Sequence, residues 1–130
     1  MDQRALYIDD NEINRKVLDA MLASQGVGMD EAVDGPTGID KYHSLPFDWL
    51  LIDYRMPNMD GLEVIERIRA EGGRGSSVPI CLITAEMDPQ LEEMARRSGA
   101  NRVIHKPITL DDLCAFLAEH WPGSAQAGRA

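Results

Sequence analysis

The sequence contains no hydrophobic run long enough to cross a bilayer. A transmembrane helix needs about 20 consecutive apolar residues, and every apolar run in the chain is far shorter. The segment from Met1 to Arg4 also lacks the apolar core of a secretory signal peptide. We therefore expect a cytoplasmic protein that makes no contact with a membrane.

Cysteine is also scarce, with two residues in the chain. Neither belongs to a CxxC pair or to a Cys/His cluster with the spacing of zinc ligands. Cys81 lies in a predicted buried strand, and Cys114 lies on the apolar side of a predicted helix. We therefore expect two small core side chains rather than a disulfide or a reactive thiol.

Positive charge is in short supply. The chain carries 13 Lys and Arg against 22 Asp and Glu, and its formal net charge is −9. Binding to nucleic acid requires clustered basic side chains that neutralise phosphates. The adjacent pair Arg96 and Arg97 follows Glu92 and Glu93, a pattern that indicates a solvated helix face. We therefore predict that nucleic acid is not a partner.

Hydrophobic residues make up 44% of the chain and charged residues 27%, which is the balance of an ordinary globular protein. A length of 130 residues suits one domain built around a single core. We assign that domain to residues 1–122 and expect residues 123–130 to form a flexible C-terminal tail.

Five strand-like segments alternate with helical patterns. The first, third and fourth are continuous apolar runs, typical of strands covered on both faces, whereas the second alternates as an edge strand does. The predicted strands cover residues 5–9, 28–33, 48–53, 79–84 and 101–105. Five such βα units predict an α/β fold, a doubly wound five-stranded parallel sheet in the flavodoxin-like order 2-1-3-4-5 with helices on both faces.

Apolar residues at helical spacing predict which side of each helix faces the sheet. The predicted inward residues of the first helix are Ile13, Val17, Ala20, Met21 and Ser24. Those of the fourth and fifth helices are Leu91, Met94, Ala95, Leu110, Leu113, Cys114 and Leu117. Phe116 falls outside the last stripe, so we expect it either to pack against a neighbouring helix or to mark a partner surface.

Polar residues stand where the predicted strands end. Asp9 and Asp10 end the first strand, Asp53 the third and Thr84 the fourth, and Lys106 follows the fifth. Ligands of doubly wound sheets bind beyond the carboxyl ends of the strands. The predicted strand order therefore gathers three carboxylates into one pocket, with a hydroxyl and an ammonium on its rim.

Three adjacent carboxylates repel one another unless a cation lies between them. Carboxylate oxygens suit Mg²⁺, which prefers oxygen ligands. With a metal on the acidic set, one oxygen of Asp53 remains free to attack phosphorus, as carboxylate nucleophiles do. Lys106 and Thr84 are then candidates to neutralise and hydrogen-bond the incoming phosphoryl oxygens.

Each of these residues also has a structural interpretation. Asp9 and Asp10 are typical caps of the following helix. Asp53 suits a turn, Thr84 a strand or a cap, and Lys106 a surface loop. Because all five fall at the ends of strands of one sheet, we favour the functional interpretation.

The motifs that carry this set are "DD" at 9–10, "D-x-x-M-P-x-M-D-G" at 53–61, "T-A" at 84–85 and "K-P" at 106–107. With their order and spacing, residues 4–121 resemble the receiver domain of two-component response regulators. The stretch "DDNEINRKVL" is similar to receivers attached to, or derived from, hybrid histidine kinases.

The resemblance implies that Asp53 is the phosphoacceptor and that a histidine kinase or phosphotransfer protein is the donor. It also implies a Mg²⁺ site formed by Asp9, Asp10, Asp53 and the backbone carbonyl of Arg55. Thr84 and Lys106 would contact the phosphoryl group, and the proline after the lysine is cis in many receivers.

The chain departs from the family in several places. Val103 stands three residues before Lys106, where receivers often carry an aromatic switch residue, and its β-branched aliphatic side chain has no comparable swing. Ile108 stands where Phe is frequent. Arg55 and Glu86 each follow a site residue by two positions, and together they could control the access of hydrolytic water to the phosphorylated aspartate.

We therefore expect a phosphorylation-dependent switch or phosphorelay receiver, whose output is an interaction with a downstream protein. It would catalyse its own phosphorylation and dephosphorylation but turn over no external substrate. A Mg²⁺-dependent aspartyl phosphatase is the alternative enzyme, but Arg55 stands where that class needs a general acid. A flavin carrier would need a phosphate loop after the first strand, and a docking receiver that is not phosphorylated would not need the intact acidic set.

Overall fold

A computed structural model describes residues 3–122, in which five strands alternate with five α-helices. The strands are β1 (Gln3–Ile8), β2 (Val27–Ala32), β3 (Trp49–Asp53), β4 (Ile80–Thr84) and β5 (Arg102–His105). The helices are α1 (Glu12–Ser24), α2 (Gly35–Ser44), α3 (Gly61–Ala70), α4 (Pro89–Ser98) and α5 (Leu110–Glu119), with a short 3-10 helix at Gly73–Ser76. The tail predicted for residues 123–130 lies outside the described residues.

All strand pairs are parallel, and the strands lie in the order β2-β1-β3-β4-β5. The predicted fold and strand order are confirmed, and β2 is at an edge as its alternating pattern indicates. The predicted strand boundaries differ from the observed ones by at most two residues. No helix within residues 3–122 is long and apolar enough to pass through a membrane.

The sheet separates two hydrophobic layers. Alternate side chains of each central strand point to opposite faces, so Leu6 and Ile8 pack beneath α2, α3 and α4 while Ala5 and Tyr7 pack against α1 and α5. At the amino end of the sheet, Trp49 packs against Trp121, and their ring centroids are 5.1 Å apart. This double layer buries β1, β3 and β4 and fixes the positions of their carboxyl ends.

Most of the predicted inward face of α1 is wrong, since Met21 is the one member of that set that packs against the core. Ile13 is 72% exposed and Val17 is 49% exposed, whereas Leu18 and Leu22 are fully buried together with most of Arg15. Apolar residues occur on two adjoining sides of this helix, and a buried hydrogen bond decides between them, because Arg15 Nη1 donates to the carbonyl of Asp9 at 2.8 Å. The apolar pattern missed this face because it contains a charged residue.

Three further predictions of burial need correction or refinement. Met94 on α4 is 49% exposed and Leu110 on α5 is 42% exposed, because each lies at the solvent edge of its helix. Phe116 is fully buried in the layer beneath α1 and α5, so it belongs to the core and does not mark a partner surface. Cys81 is buried as expected, Cys114 is half-buried, and both are free thiols.

Candidate functional site

The sheet brings the three acidic residues together. β1 and β3 are neighbours, with Ile8 opposite Ile52, so the residues that follow them meet at one edge of the sheet. Asp9, Asp10 and Asp53 each offer a carboxylate oxygen, and these oxygens all lie within 4.8 Å of one another. Asp9 and Asp53 are buried and Asp10 is exposed, so the cluster extends from the interior to the surface at this edge of the sheet, and we call it the acidic pocket.

The acidic pair after β1 does not cap α1. Asn11 is the N-cap residue, and its side chain accepts a hydrogen bond from the backbone N–H of Asn14 at 2.9 Å. The capping interpretation of Asp9 and Asp10 is therefore wrong, because the side chain of the neighbouring Asn11 provides the cap. Both carboxylates remain at the edge of the sheet.

Asp9 accepts three hydrogen bonds. Its Oδ1 accepts from the backbone N–H of Asn11 at 2.9 Å, and its Oδ2 accepts from Asn14 Nδ2 at 3.2 Å and from the hydroxyl of Tyr7. Burial and the adjacent Asp9 raise the pKa of Tyr7 well above its ordinary value, so the phenol stays neutral and remains a donor. Sequence reasoning missed Tyr7 and Asn14, although Tyr7 precedes Asp9 by two residues and so shares its face of the strand.

Asp53 forms an ion pair with the ammonium group of Lys106, the cation predicted at the rim of the pocket. Lys106 Nζ lies 2.7 Å from Asp53 Oδ1 and 3.9 Å from Asp9 Oδ2. Burial raises the pKa of Asp53 to about 6, the ammonium of Lys106 opposes that rise, and the charges of Asp9 and Asp10 add to it. The peptide bond between Lys106 and Pro107 is cis, as the resemblance implies.

Thr84 ends β4, the neighbour of β3, and is buried. Its Oγ1 accepts a hydrogen bond from the backbone N–H of Glu86 at 3.0 Å. The helix that follows is capped by Asp88, so Thr84 is not its cap. The hydroxyl therefore lies at the same edge of the sheet as the acidic cluster.

A salt bridge joins the two loops at the mouth of the pocket. Arg55 Nε donates to Glu86 Oε2, and the Arg55 guanidinium lies 4.9 Å from the centroid of the Tyr54 ring. The Arg55 side chain is 74% exposed. The bridge connects the loop after β3 to the loop after β4, a contact that the sequence did not predict.

The start of α3 lies close to the end of β3 because Gly61 has no side chain. A Cβ atom at Gly61 would lie 2.7 Å from the carbonyl oxygen of Asp53, so a larger residue would push against the backbone of the candidate nucleophile. Asp60 then caps α3 in a reciprocal capping box with Glu63. The "DG" of the motif thus begins the helix directly beneath the site.

The donor set fits a small divalent cation. Mg²⁺ takes oxygen ligands at about 2.0–2.1 Å, and three carboxylate oxygens within 4.8 Å of one another can surround such an ion after small movements. Burial raises the pKa of Asp53, and the negative charges of Asp9 and Asp10 add to that rise; a bound divalent cation would relieve this repulsion. The residues present therefore suit the metal that the resemblance implies.

Comparison with known proteins identifies the family. The family model for the response regulator receiver domain matches residues 5–118. The chain belongs to this family. Receiver domains are signalling domains of two-component systems rather than enzymes that turn over an external substrate, and phosphorylation of an aspartate is their general function.

Relatives agree with this assignment. This receiver domain is 36% identical over 114 residues to the sensor protein EvgS of Escherichia coli (strain K12), an alignment that covers 88% of the chain and 9% of EvgS. The chain spans about a tenth of the length of the curated relatives it matches. It is thus homologous to the receiver domains of hybrid sensor kinases.

Solved structures show the same fold. Chemotaxis protein CheY4 of Vibrio cholerae matches with a TM-score of 0.86 at 25% identity, covering 92% of this chain and 99% of that one. The receiver domain of sensor histidine kinase PA1611 from Pseudomonas aeruginosa PAO1 matches with a TM-score of 0.83 at 30% identity, covering 92% and 98%. The PA1611 structure has a magnesium ion coordinated in its active site cleft.

Proposed function

We propose that this receiver domain accepts a phosphoryl group on Asp53 from a phosphohistidine of a histidine kinase or phosphotransfer protein, with Mg²⁺ as cofactor. One observation carries the proposal. Asp53 is buried, it contacts Lys106 at 2.7 Å, and it shares a pocket with two other carboxylates. A buried carboxylate that is both desolvated and paired to an ammonium has the features of an activated nucleophile.

The transfer exchanges one bond for another. An oxygen of Asp53 bonds to phosphorus while the bond between phosphorus and the histidine nitrogen breaks, and the imidazole leaves with that electron pair and takes up a proton. Because Asp53 attacks as a carboxylate, a pKa of about 6 leaves most of it ionised at neutral pH. Water later releases the group as phosphate, so the domain promotes only its own phosphorylation and dephosphorylation.

The proposed ligands of the ion are Asp9, Asp10, Asp53 and the backbone carbonyl of Arg55. Bound Mg²⁺ supplies positive charge beside the phosphoryl oxygens. Support comes from the spacing of the three carboxylates and from the magnesium ion in the cleft of the PA1611 receiver. We propose that the Lys106 ammonium and the Thr84 hydroxyl also contact the phosphoryl oxygens.

A protein donor covers the rim of the pocket, because its histidine has to reach Asp53. The exposed apolar side chains near that rim include Ile13 and Val17 on α1 and Met87 in the loop after β4. We propose that these residues pack against the phosphohistidine-bearing protein during transfer. We propose that the phosphorylated domain then binds an unidentified downstream protein.

The signal is proposed to pass through the Thr84 loop to the start of α4, as a shift between two existing states. Contacts at the other end of α4 support this direction, because Arg69 Nε and Nη2 donate to the carbonyl of Gly99 at 3.0 and 2.8 Å. With that end held, we propose that the movement occurs at the end near Asp88. Val103 is half-buried against the core and provides no aromatic switch.

We also propose a cytoplasmic location. The free thiols of Cys81 and Cys114 suit a reducing compartment.

Intact-mass measurement after incubation with Mg²⁺ and a small phosphodonor tests the proposal. We expect one added phosphoryl group on the wild-type protein and on Asp40→Asn, a matched change of an exposed aspartate on α2. We expect none on Asp53→Asn, and none when a chelator removes Mg²⁺. The proposal is wrong if the wild-type protein gains no mass or if Asp53→Asn gains the same mass.

A further inference from the structure

Tyr7 is a polar residue inside an apolar strand. It lies between Leu6 and Ile8 in β1, and all three are fully buried. Its ring packs in the layer beneath α1 and α5, and it borders a cavity of about 390 Å³ with Leu18 and Met21. A phenylalanine ring would fill this apolar position without a hydroxyl, so the hydroxyl needs a separate explanation.

The hydroxyl of Tyr7 donates to Oδ2 of Asp9. Residues two apart in a strand lie on one face of the sheet, about 7 Å apart along the backbone, so a long side chain with a terminal donor can span that gap. Burial of the ring leaves the hydroxyl little freedom to turn elsewhere. The position of the donor, Tyr7, relative to its acceptor, Asp9, is therefore fixed by the backbone of β1 and the residue that follows it.

Asp9 and Asp10 differ in the number of hydrogen bonds that hold their carboxylates. Three donors hold the Asp9 carboxylate, whereas within residues 3–122 no hydrogen-bond donor reaches the carboxylate of Asp10. Mutual repulsion favours turning one of the clustered carboxylates away from the others. The donors on Asp9 oppose that movement, and the bond from Tyr7 is the one shielded from water.

We propose that Tyr7 is a positioning residue for the cation site, whose hydroxyl holds the Asp9 carboxylate in the orientation that meets Mg²⁺ and so increases the affinity for the ion. The inference rests on the proposed cation site. Hydrogen-bond partners of metal ligands typically change metal affinity by about 10- to 100-fold when they are removed. Since Asn11 and Asn14 also hold Asp9, we expect an effect near the lower end, about tenfold.

Titration calorimetry with Mg²⁺ alone, at one fixed pH, tests this with Tyr7→Phe, which removes the hydroxyl and keeps the ring. The expected result is a Kd about tenfold higher than that of the wild-type protein. Tyr42→Phe is the matched control, because it loses the same group on α2, away from the three acids, and its Kd should not change.

The kinetics of phosphorylation by a small donor provide a second readout. For Tyr7→Phe, the Mg²⁺ concentration that gives half the maximal rate should rise about tenfold, and the rate at saturating Mg²⁺ should stay close to the wild-type value. A merely structural role would lower the stability of the metal-free protein without this split. If Tyr7→Phe does not fold, Asn14→Ala removes the second donor to the same oxygen and should also raise the Kd.

The possible outcomes distinguish the existence of the cation site from the role of Tyr7. Absence of Mg²⁺ binding by the wild-type protein overturns the cation site itself. Binding by the wild-type protein with an equal or lower Kd for Tyr7→Phe overturns only the role assigned to Tyr7. A higher Kd for Tyr7→Phe with an unchanged Kd for Tyr42→Phe supports the inference.

Discussion

Opposing forces act on Asp53 at the scale of the single residue. Burial and the charges of Asp9 and Asp10 disfavour its ionised form, while the ammonium of Lys106 at 2.7 Å favours it. The pKa of about 6 shows that the unfavourable effects are larger than the favourable one when no metal ion is bound. The ionised site is therefore a source of instability, and the proposed function accounts for it because a phosphoacceptor attacks as a carboxylate.

This instability predicts how Asp53→Asn changes stability with pH. The pKa of Asp53 is higher in the folded state than its ordinary value of 3.8, so the folded protein binds the proton more tightly and loses stability as pH rises from about 4 to 6. In metal-free buffer at pH 7 to 8, Asp53→Asn should be more stable than the wild-type protein by up to about 3 kcal/mol.

Urea unfolding at several pH values measures this difference. The extra stability of Asp53→Asn over the wild-type protein should shrink as the pH falls through 6 toward 4. At the lower pH the side chain at position 53 is neutral in both folded proteins. Asp40→Asn should show no such trend because Asp40 is exposed. An advantage that stays constant across this range would contradict the raised pKa.

A second prediction at this scale concerns the bridge between Arg55 and Glu86. The bridge joins two loops at the mouth of the pocket, so its removal should admit water and shorten the lifetime of the phosphorylated aspartate several-fold. Arg55→Ala should change Mg²⁺ affinity less, since only the backbone carbonyl of Arg55 is a proposed ligand. Arg67→Ala, an exposed change on α3, is the control, and equal lifetimes for Arg55→Ala and the wild-type protein would refute the idea.

At the scale of the element, α1 has two apolar sides with different roles. Leu18 and Leu22 pack on the sheet, and Ile13 and Val17 face solvent beside the site. The buried guanidinium of Arg15 fixes this rotation, with Nη1 on the carbonyl of Asp9 and Nε 3.2 Å from Glu31 on β2. A charged residue thus decides which side of the helix becomes core.

The two sides of α1 should respond differently to truncation. Leu18→Ala removes a fully buried side chain and should lower the free energy of unfolding by about 2–5 kcal/mol. Val17→Ala should change it by no more than about 0.5 kcal/mol, because half of that side chain is already exposed. Chemical denaturation of both variants measures the difference, and a larger loss for Val17→Ala would restore the inward face that the apolar pattern predicted.

Strands were predictable from the sequence because β1, β3 and β4 are covered on both faces, and continuous apolar runs mark such strands. Helix faces were less predictable. The apolar pattern placed Met94 and Leu110 inward, but both are exposed. Of the two expectations for Phe116, packing inside the molecule is the one observed. Spacing alone cannot say how a helix is rotated on the sheet when a neighbouring side of the helix is also apolar.

At the scale of the whole molecule, the strand order creates the site. Asp9 and Asp53 are far apart in the sequence and meet because β1 and β3 are neighbours. The clustering of the three acids was predictable because each stands at a strand end, where a parallel sheet collects ligands. Tyr7 and Arg15 were not, because a tyrosine in an apolar strand and an arginine in a helix carry no signal of their partners.

The packing of Trp49 against Trp121 has a practical consequence. Trp49 starts the strand that Asp53 ends, so about 13 Å of backbone separates the indole from the acidic pocket. Since these are the two tryptophans of the chain, their fluorescence reports on the opposite end of the molecule from the carboxylates. Tryptophan emission can therefore follow unfolding, while the heat of Mg²⁺ addition follows binding at the acidic pocket. The two processes can thus be measured separately.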